Sequence, residues 1–156
     1  MTDPNVLHPD HAPTPFTADE IRSATPAGYT VETVTEQAGA VSRRRTEFTA
    51  VDTDHATMVM TPIDERGEPT GDPREVVATW TDLQAHASFP AEITELSRDT
   101  IETPLGTISC LRYDVSSDDH TNTFWFSPEH PGMPIRLTSD AQNAPTTTIV
   151  SITRPA

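Results

Sequence analysis

The chain contains no lysine: its ten basic residues are all arginine, set against 24 acidic ones, for a formal charge of -14. A Walker-type phosphate loop needs a lysine, and no glycine-rich fingerprint stands in for it, so nucleotide chemistry of that kind is excluded. Nucleic-acid affinity rests on Lys and Arg neutralising phosphates, and a surface of this sign repels them, so no nucleic-acid partner is expected. Cys110 is the single cysteine, which rules out an intramolecular disulfide and makes a reducing cytoplasm the expected compartment. No run approaches the ~20 apolar residues of a membrane span. The first twenty residues also lack a basic-then-apolar signal pattern.

What is present is 156 residues, the size of one domain. At that length roughly 70% of the unfolded surface can be buried, so folding needs neither metal nor disulfide. Residues 1–15 hold Pro4, Pro9, Pro13 and Pro15 and almost no apolar periodicity. They read as a flexible Pro-rich leader that cannot offset its ordering entropy by burial. Residues 16–156 read as one β-rich domain.

Order begins at Phe16. Thr17 is a good N-cap, Glu20 follows three residues later, and Phe16 and Ile21 form a hydrophobic staple. That helix ends by Thr25, because Pro26 disfavours helical geometry in the residue before it. β-Branched and aromatic residues then recur between turn signals, giving strands over 29–37, 41–51, 55–63, 75–79, 93–103, 105–115, 121–126, 133–138 and 147–152. A second short helix is expected where Thr81 and Gln84 form a capping box after Trp80 and Phe89-Pro90 closes it. The connections are too short for helical crossovers between parallel strands. The expected fold is therefore mainly β: a single strongly curved antiparallel sheet or half-barrel of about nine strands, with two short helices.

The stretch Thr103-Pro104-Leu105-Gly106-Thr107-Ile108-Ser109-Cys110 with Tyr113, then Thr123-Phe124-Trp125-Phe126 and Pro131-Gly132-Met133-Pro134-Ile135-Arg136, carries a resemblance. These segments, about residues 101–138, resemble the closing strands of uncharacterised bacterial β-rich proteins with a lipoprotein-carrier-like half-barrel architecture. The resemblance implies a long antiparallel sheet curled around helices and enclosing an apolar cavity. It names no catalytic residue, and the missing signal pattern sets the chain apart from lipoprotein carriers.

The reactive-looking clusters each have a simpler reading. His8, Asp10 and His11 sit in the Pro-rich leader, which offers no second shell to orient metal ligands. Asp52, Asp54 and His55 lack the twelve-residue calcium loop and fit a hairpin turn, where Asp bonds its own backbone. Ser127, Glu129 and His130 lie within four residues, too close to align as a triad, and no Gly-x-Ser-x-Gly elbow exists. Cys110 lies in an apolar strand and reads as a small buried hydrophobe. Arg43-Arg44-Arg45 falls on a strand, so Arg43 and Arg45 share a face and Arg44 points away.

No catalytic, metal or cofactor site is therefore expected. The aromatic strands carry the functional weight instead. A pocket lined by Trp125, Tyr113, Trp80 and Phe124, with Arg112 or Arg136 as polar handle, would suit a small apolar or lipid-like ligand. The competing expectations are a dimer or partner scaffold built on an aromatic face or a sheet edge, and an enzyme with acid and base scattered over His86, Glu92, Glu95 and Cys110.

Overall fold

The computed structural model describes residues 3–155. Strands β1 (Thr30–Gln37), β2 (Ala40–Val51), β3 (His55–Ile63), β4 (Arg74–Thr79), β5 (Thr94–Thr103), β6 (Gly106–Ser116), β7 (Thr121–Phe126), β8 (Arg136–Ser139) and β9 (Thr146–Thr153) form one sheet. Their order is β4-β3-β2-β1-β9-β8-β7-β6-β5, and every neighbouring pair is antiparallel. Among the described strands, only β1 and β9 are neighbours in space without being consecutive in sequence. The sheet is thus two meanders zipped along one central seam. This is the curved, mainly β architecture with two short helices that the sequence implies.

The curvature follows from the connection between the two edges. β4 and β5 lie at opposite edges, and residues 80–93 join them. Eight strand spacings of ~4.8 Å would separate the edges of a flat sheet by about 38 Å. A segment containing the helix Trp80–Ala85 and a 3-10 turn at Ala91–Ile93 reaches only about 30 Å. The edges must therefore curl toward each other, with the connection lying over the face they enclose. β5 also touches β9, although three strands separate them within the sheet.

Helix α1 (Ala18–Ala24) starts as its capping box dictates: Thr17 accepts from the Glu20 amide at 3.1 Å and Glu20 accepts from the Thr17 amide at 3.0 Å. Helix α2 (Trp80–Ala85) starts two residues earlier than its expected cap. Thr79, not Thr81, accepts from the Asp82 amide at 3.0 Å. This start puts Trp80 and Gln84 four residues apart on one helix face, where both are buried. Gln84 is then used as a cross-link rather than a cap. β8 also begins later than expected, at Arg136, because Pro134 has no N–H to give a ladder.

The β1–β2 hairpin turns on Ala38 (φ 50°) and Gly39 (φ 84°), both left-handed, as a two-residue turn with the twist of its strands requires. Residues 3–15 run along α2 and the segment before β5. Ala12 N–H donates to Phe89 O at 2.9 Å, Ala91 N–H donates to Asp10 O at 2.8 Å, and the Tyr113 hydroxyl donates to Pro13 O at 2.6 Å. The core lies between the helices and one face of the sheet, around Phe16, Ile21, Tyr29, Val31, Phe48 and Phe126.

Candidate functional site: a methionine-lined cavity

A cavity of about 340 Å³ opens between the helices and the helix-side face of the sheet. Period-2 alternation supplies its walls: Met58 and Met60 from β3, Val76 and Ala78 from β4, and Phe48 from β2. The other half of the sheet contributes Phe124 and Phe126 from β7 and Leu137 from β8. Residues from β4 and β7 face one space only because the sheet curls. Ile21, Leu83 and Ala87 from the helices, and Met133 from the loop before β8, close it.

Two features define what this site can do. Met58, Met60 and Met133 are all the methionines beyond Met1, and all three line it. Methionine side chains are unbranched and polarisable, so a wall built from them adapts to the shape of an apolar guest. The second feature is the near absence of ionisable chemistry. Among the described residues, His86 is the one titratable side chain in the lining, and it is exposed at the rim. Acid-base chemistry needs two convergent groups, which this lining does not bring together.

The six residues singled out from the sequence are divided by the sheet. Phe124 lines the cavity. Tyr113 shares its face, paired in register with Phe124, but is buried under the leader, with Phe89 and Phe126 rings against it. Trp80 is buried at the start of α2, donating its indole N–H to Asp52 O at 2.9 Å, and does not reach the lining. Trp125, Arg112 and Arg136 are register partners on the opposite face. There the Arg112 guanidinium lies 5.4 Å from the Trp125 ring centre and bonds Asp99 at 3.3 Å and Asp114 at 3.1 Å. Trp125 donates to the same Asp99 carboxylate at 3.0 Å, and that bond, with Arg112 beside it, holds the Asp99 carboxyl below the usual range. Arg136 donates to Glu102 O at 3.2 Å. This group is a satisfied polar network on the outside of the sheet, and neither arginine faces the cavity.

The remaining clusters stay apart from the cavity. Asp52, Asp54 and His55 lie close enough to hold a cation, yet all are exposed, and Asp52 accepts from the Asp54 and His55 amides at 2.8 and 2.7 Å, as a turn aspartate does. His11 bonds Ser88 at 2.7 Å in the docked leader. Ser127 is buried and accepts from the Glu129 amide, whereas His130 turns to Arg154 at 2.9 Å. Cys110 is 2% exposed, and burial pushes its thiol pKa up, with the Asp99 charge adding to the shift. Arg45 pairs with Glu32 at 3.2 Å on the outer face.

The sequence signal for the cavity was the spacing Met58-x-Met60 on a strand. It identifies a soft apolar stripe, but not what faces it.

No family model matches the chain, and no curated protein does. Solved structures do match. The chain is similar to MucB in its complex with MucA(peri), with TM-score 0.57 and 12% identity over 89% of this chain and 53% of that one. The Pseudomonas aeruginosa MucA/MucB complex gives TM-score 0.57 and 12% identity over 89% of this chain and 56% of the other. MucB alone gives 0.55 and 11% over 88% and 57%. The chain thus spans a little over half the length of these neighbours. At such identities the likeness is one of fold, a β-rich open sheet. Membership of a lipoprotein-carrier-like family does not follow from these matches.

Proposed function

We propose that this chain is a non-catalytic binding module that holds a small apolar or lipid-like molecule between its helices and its curled sheet. The observation that carries this reading is the lining itself: three methionines, aromatic and aliphatic walls, and one histidine at the rim. The volume of about 340 Å³ falls within the ~300–1,000 Å³ typical of ligand sites. It is about twice the ~150 Å³ that accommodates a benzene ring, so the guest is of bicyclic or medium-chain size.

Neither tryptophan lines the cavity, so ligand entry is followed with an uncharged naphthylamine dye rather than by indole emission. Native mass spectrometry of freshly purified protein complements the titration. The expected result is saturable one-to-one dye binding, weakened at least tenfold in Ala78→Phe, which sends a ring into the cavity from β4. Equal dye affinity in both proteins would refute the reading.

A second reading, a protein-partner module, is favoured by the MucB likeness, since the solved MucB structures include a complex with MucA(peri). The open sheet supports it: β4 and β5 are edges, and Ile93 and Leu96 stand 38% and 45% exposed at the β5 end. Such an edge can take an added strand from a partner. Sedimentation over a wide concentration range tests the self-association form, and a strictly monomeric profile would remove it.

A further inference from the structure

The cavity reading can be carried to the chemistry of the ligand's head. Alternation and register place Arg44 on the same face of β2 as the cavity residue Phe48, and Arg74 on the same face of β4 as the cavity residues Val76 and Ala78. Arg74 is the cross-strand partner of Met60, and Arg44 is the partner of Pro62, two residues further along β3 on the same face. Two exposed arginines therefore flank one strand of the cavity wall, on strands about 10 Å apart, each beside Met60.

The chain has 24 carboxylates for ten arginines, yet among the described residues only Arg22, Arg45 and Arg112 form ion pairs, Arg112 with both Asp99 and Asp114. The guanidinium groups of Arg44 and Arg74 form no ion pair or hydrogen bond among the described residues. Charge on the neighbouring strands is segregated by face. By register, the helix-side positions of β1 to β4 and β7 to β9 include no Asp or Glu, whereas Glu32, Glu47 and Glu75 all fall on the outer face. On these seven strands the face that carries the apolar cavity holds no acid, and two arginines stand on it without carboxylate partners. Planar, multiply donating guanidinium groups suit a carboxylate or phosphate oxyanion.

We propose that the ligand of this cavity is a single-chain amphiphile with an anionic head, its tail lying along Met60 and Met58 and its head held between Arg44 and Arg74. The inference rests on the cavity reading above and adds the sign of the head group.

The experiment compares decanoate, decanol and decyltrimethylammonium as displacers of the uncharged dye, in the native protein and in the double variant Arg44→Gln/Arg74→Gln. The expected result is decanoate at least tenfold tighter than decanol at low salt, decyltrimethylammonium weaker than both, and a decanoate-to-decanol ratio near one in the double variant. In the native protein the same ratio falls as sodium chloride is raised, because exposed guanidinium groups are screened; this arm needs no variant to fold. Equal binding of the three compounds, a ratio unchanged by the double substitution, or a ratio unmoved by salt would overturn the anionic-head proposal and leave the cavity standing. Failure of all three to displace the dye would overturn the cavity reading and this proposal with it.

Discussion

Gln84→Leu removes the side chain that ties the leader, α1 and α2 together, and its cost can be worked from the contacts. Gln84 is 4% exposed. Its carboxamide oxygen accepts from the Ala18 amide at 3.0 Å, and its nitrogen donates to Pro4 O at 2.8 Å and to the Thr14 hydroxyl at 3.0 Å. Ala18 opens α1, where a backbone N–H has no intrahelical acceptor, so losing Gln84 leaves a donor without its partner. An orphaned buried donor costs about 1–3 kcal/mol, and each of the other two bonds is worth about 1 kcal/mol net. Thr14 keeps its own bond to Phe16 O at 2.8 Å, and the leucine regains some burial, so the sum is about 3 kcal/mol. Against the ~5–15 kcal/mol of a typical domain that is a large fraction. It corresponds to a fall of roughly 6–12 °C in Tm for a chain of this length.

Urea unfolding, read as a midpoint shift at constant slope, is the assay. A second arm deletes residues 1–10. In the Gln84→Leu background this deletion should cost about 1 kcal/mol less than in the native protein, because the bond to Pro4 is already gone. A Gln84→Leu change below about 0.5 kcal/mol, with no coupling to the deletion, would refute the reasoning. It would mean that water replaces these bonds freely and that the leader is not held by them.

Three further outcomes follow from the same contacts. Burial pushes the Tyr113 phenol up to about 12 from 10.0, so the folded state holds that proton more tightly. Its contribution to stability is complete below pH 10 and is lost as the pH rises from 10 through 12. With no lysine titrating in that window, Tyr113→Phe should lessen the alkaline fall in urea midpoint, the remainder coming from Tyr29, whose phenol burial also pushes up, and an unaltered fall would count against it. Cys110, raised by burial, should react with a thiol reagent at pH 8 far more slowly in the native protein than in urea, and stoichiometric native labelling within minutes would contradict its packing. Arg112→Ala strips Asp99, Asp114 and the Trp125 ring of a partly exposed partner and should cost about 1 kcal/mol while leaving dye affinity at the native value. A drop in dye affinity would show that the outer network communicates with the cavity.

What was legible in the sequence was local. The capping box at Thr17 and Glu20 and the hairpin spacings each involve residues a few positions apart, and each forms as its chemistry requires. Where two local rules competed, tertiary burial decided. Thr79 and Thr81 are both competent caps, and the start that buries Trp80 and Gln84 together prevailed.

The candidate site depends on something period-2 alternation leaves open. Alternation separates Trp125 from Phe124 and Phe126, and Arg44 from Arg43 and Arg45, but it does not say which face the helices cover. Aromatic residues on both faces of β7 made either assignment admissible. The outer face of β7 is occupied by a cation-π pair and two carboxylates around Arg112, an arrangement stable at the surface without any cover. Phe124 and Phe126 have no such polar companions and take the covered side. A better discriminator was present all along in the placement of charge: on β1 to β4 the acids alternate with Val31, Thr46, Phe48, Met58 and Met60 rather than joining them. A carboxylate on the covered face would be desolvated beside the cavity at a cost of several kcal/mol, so the acid-free parity of a strand marks its inner side. Reading strands by where acids are missing, rather than by where aromatics are present, assigns Arg44 and Arg74 to the cavity side and Arg112 to the outside.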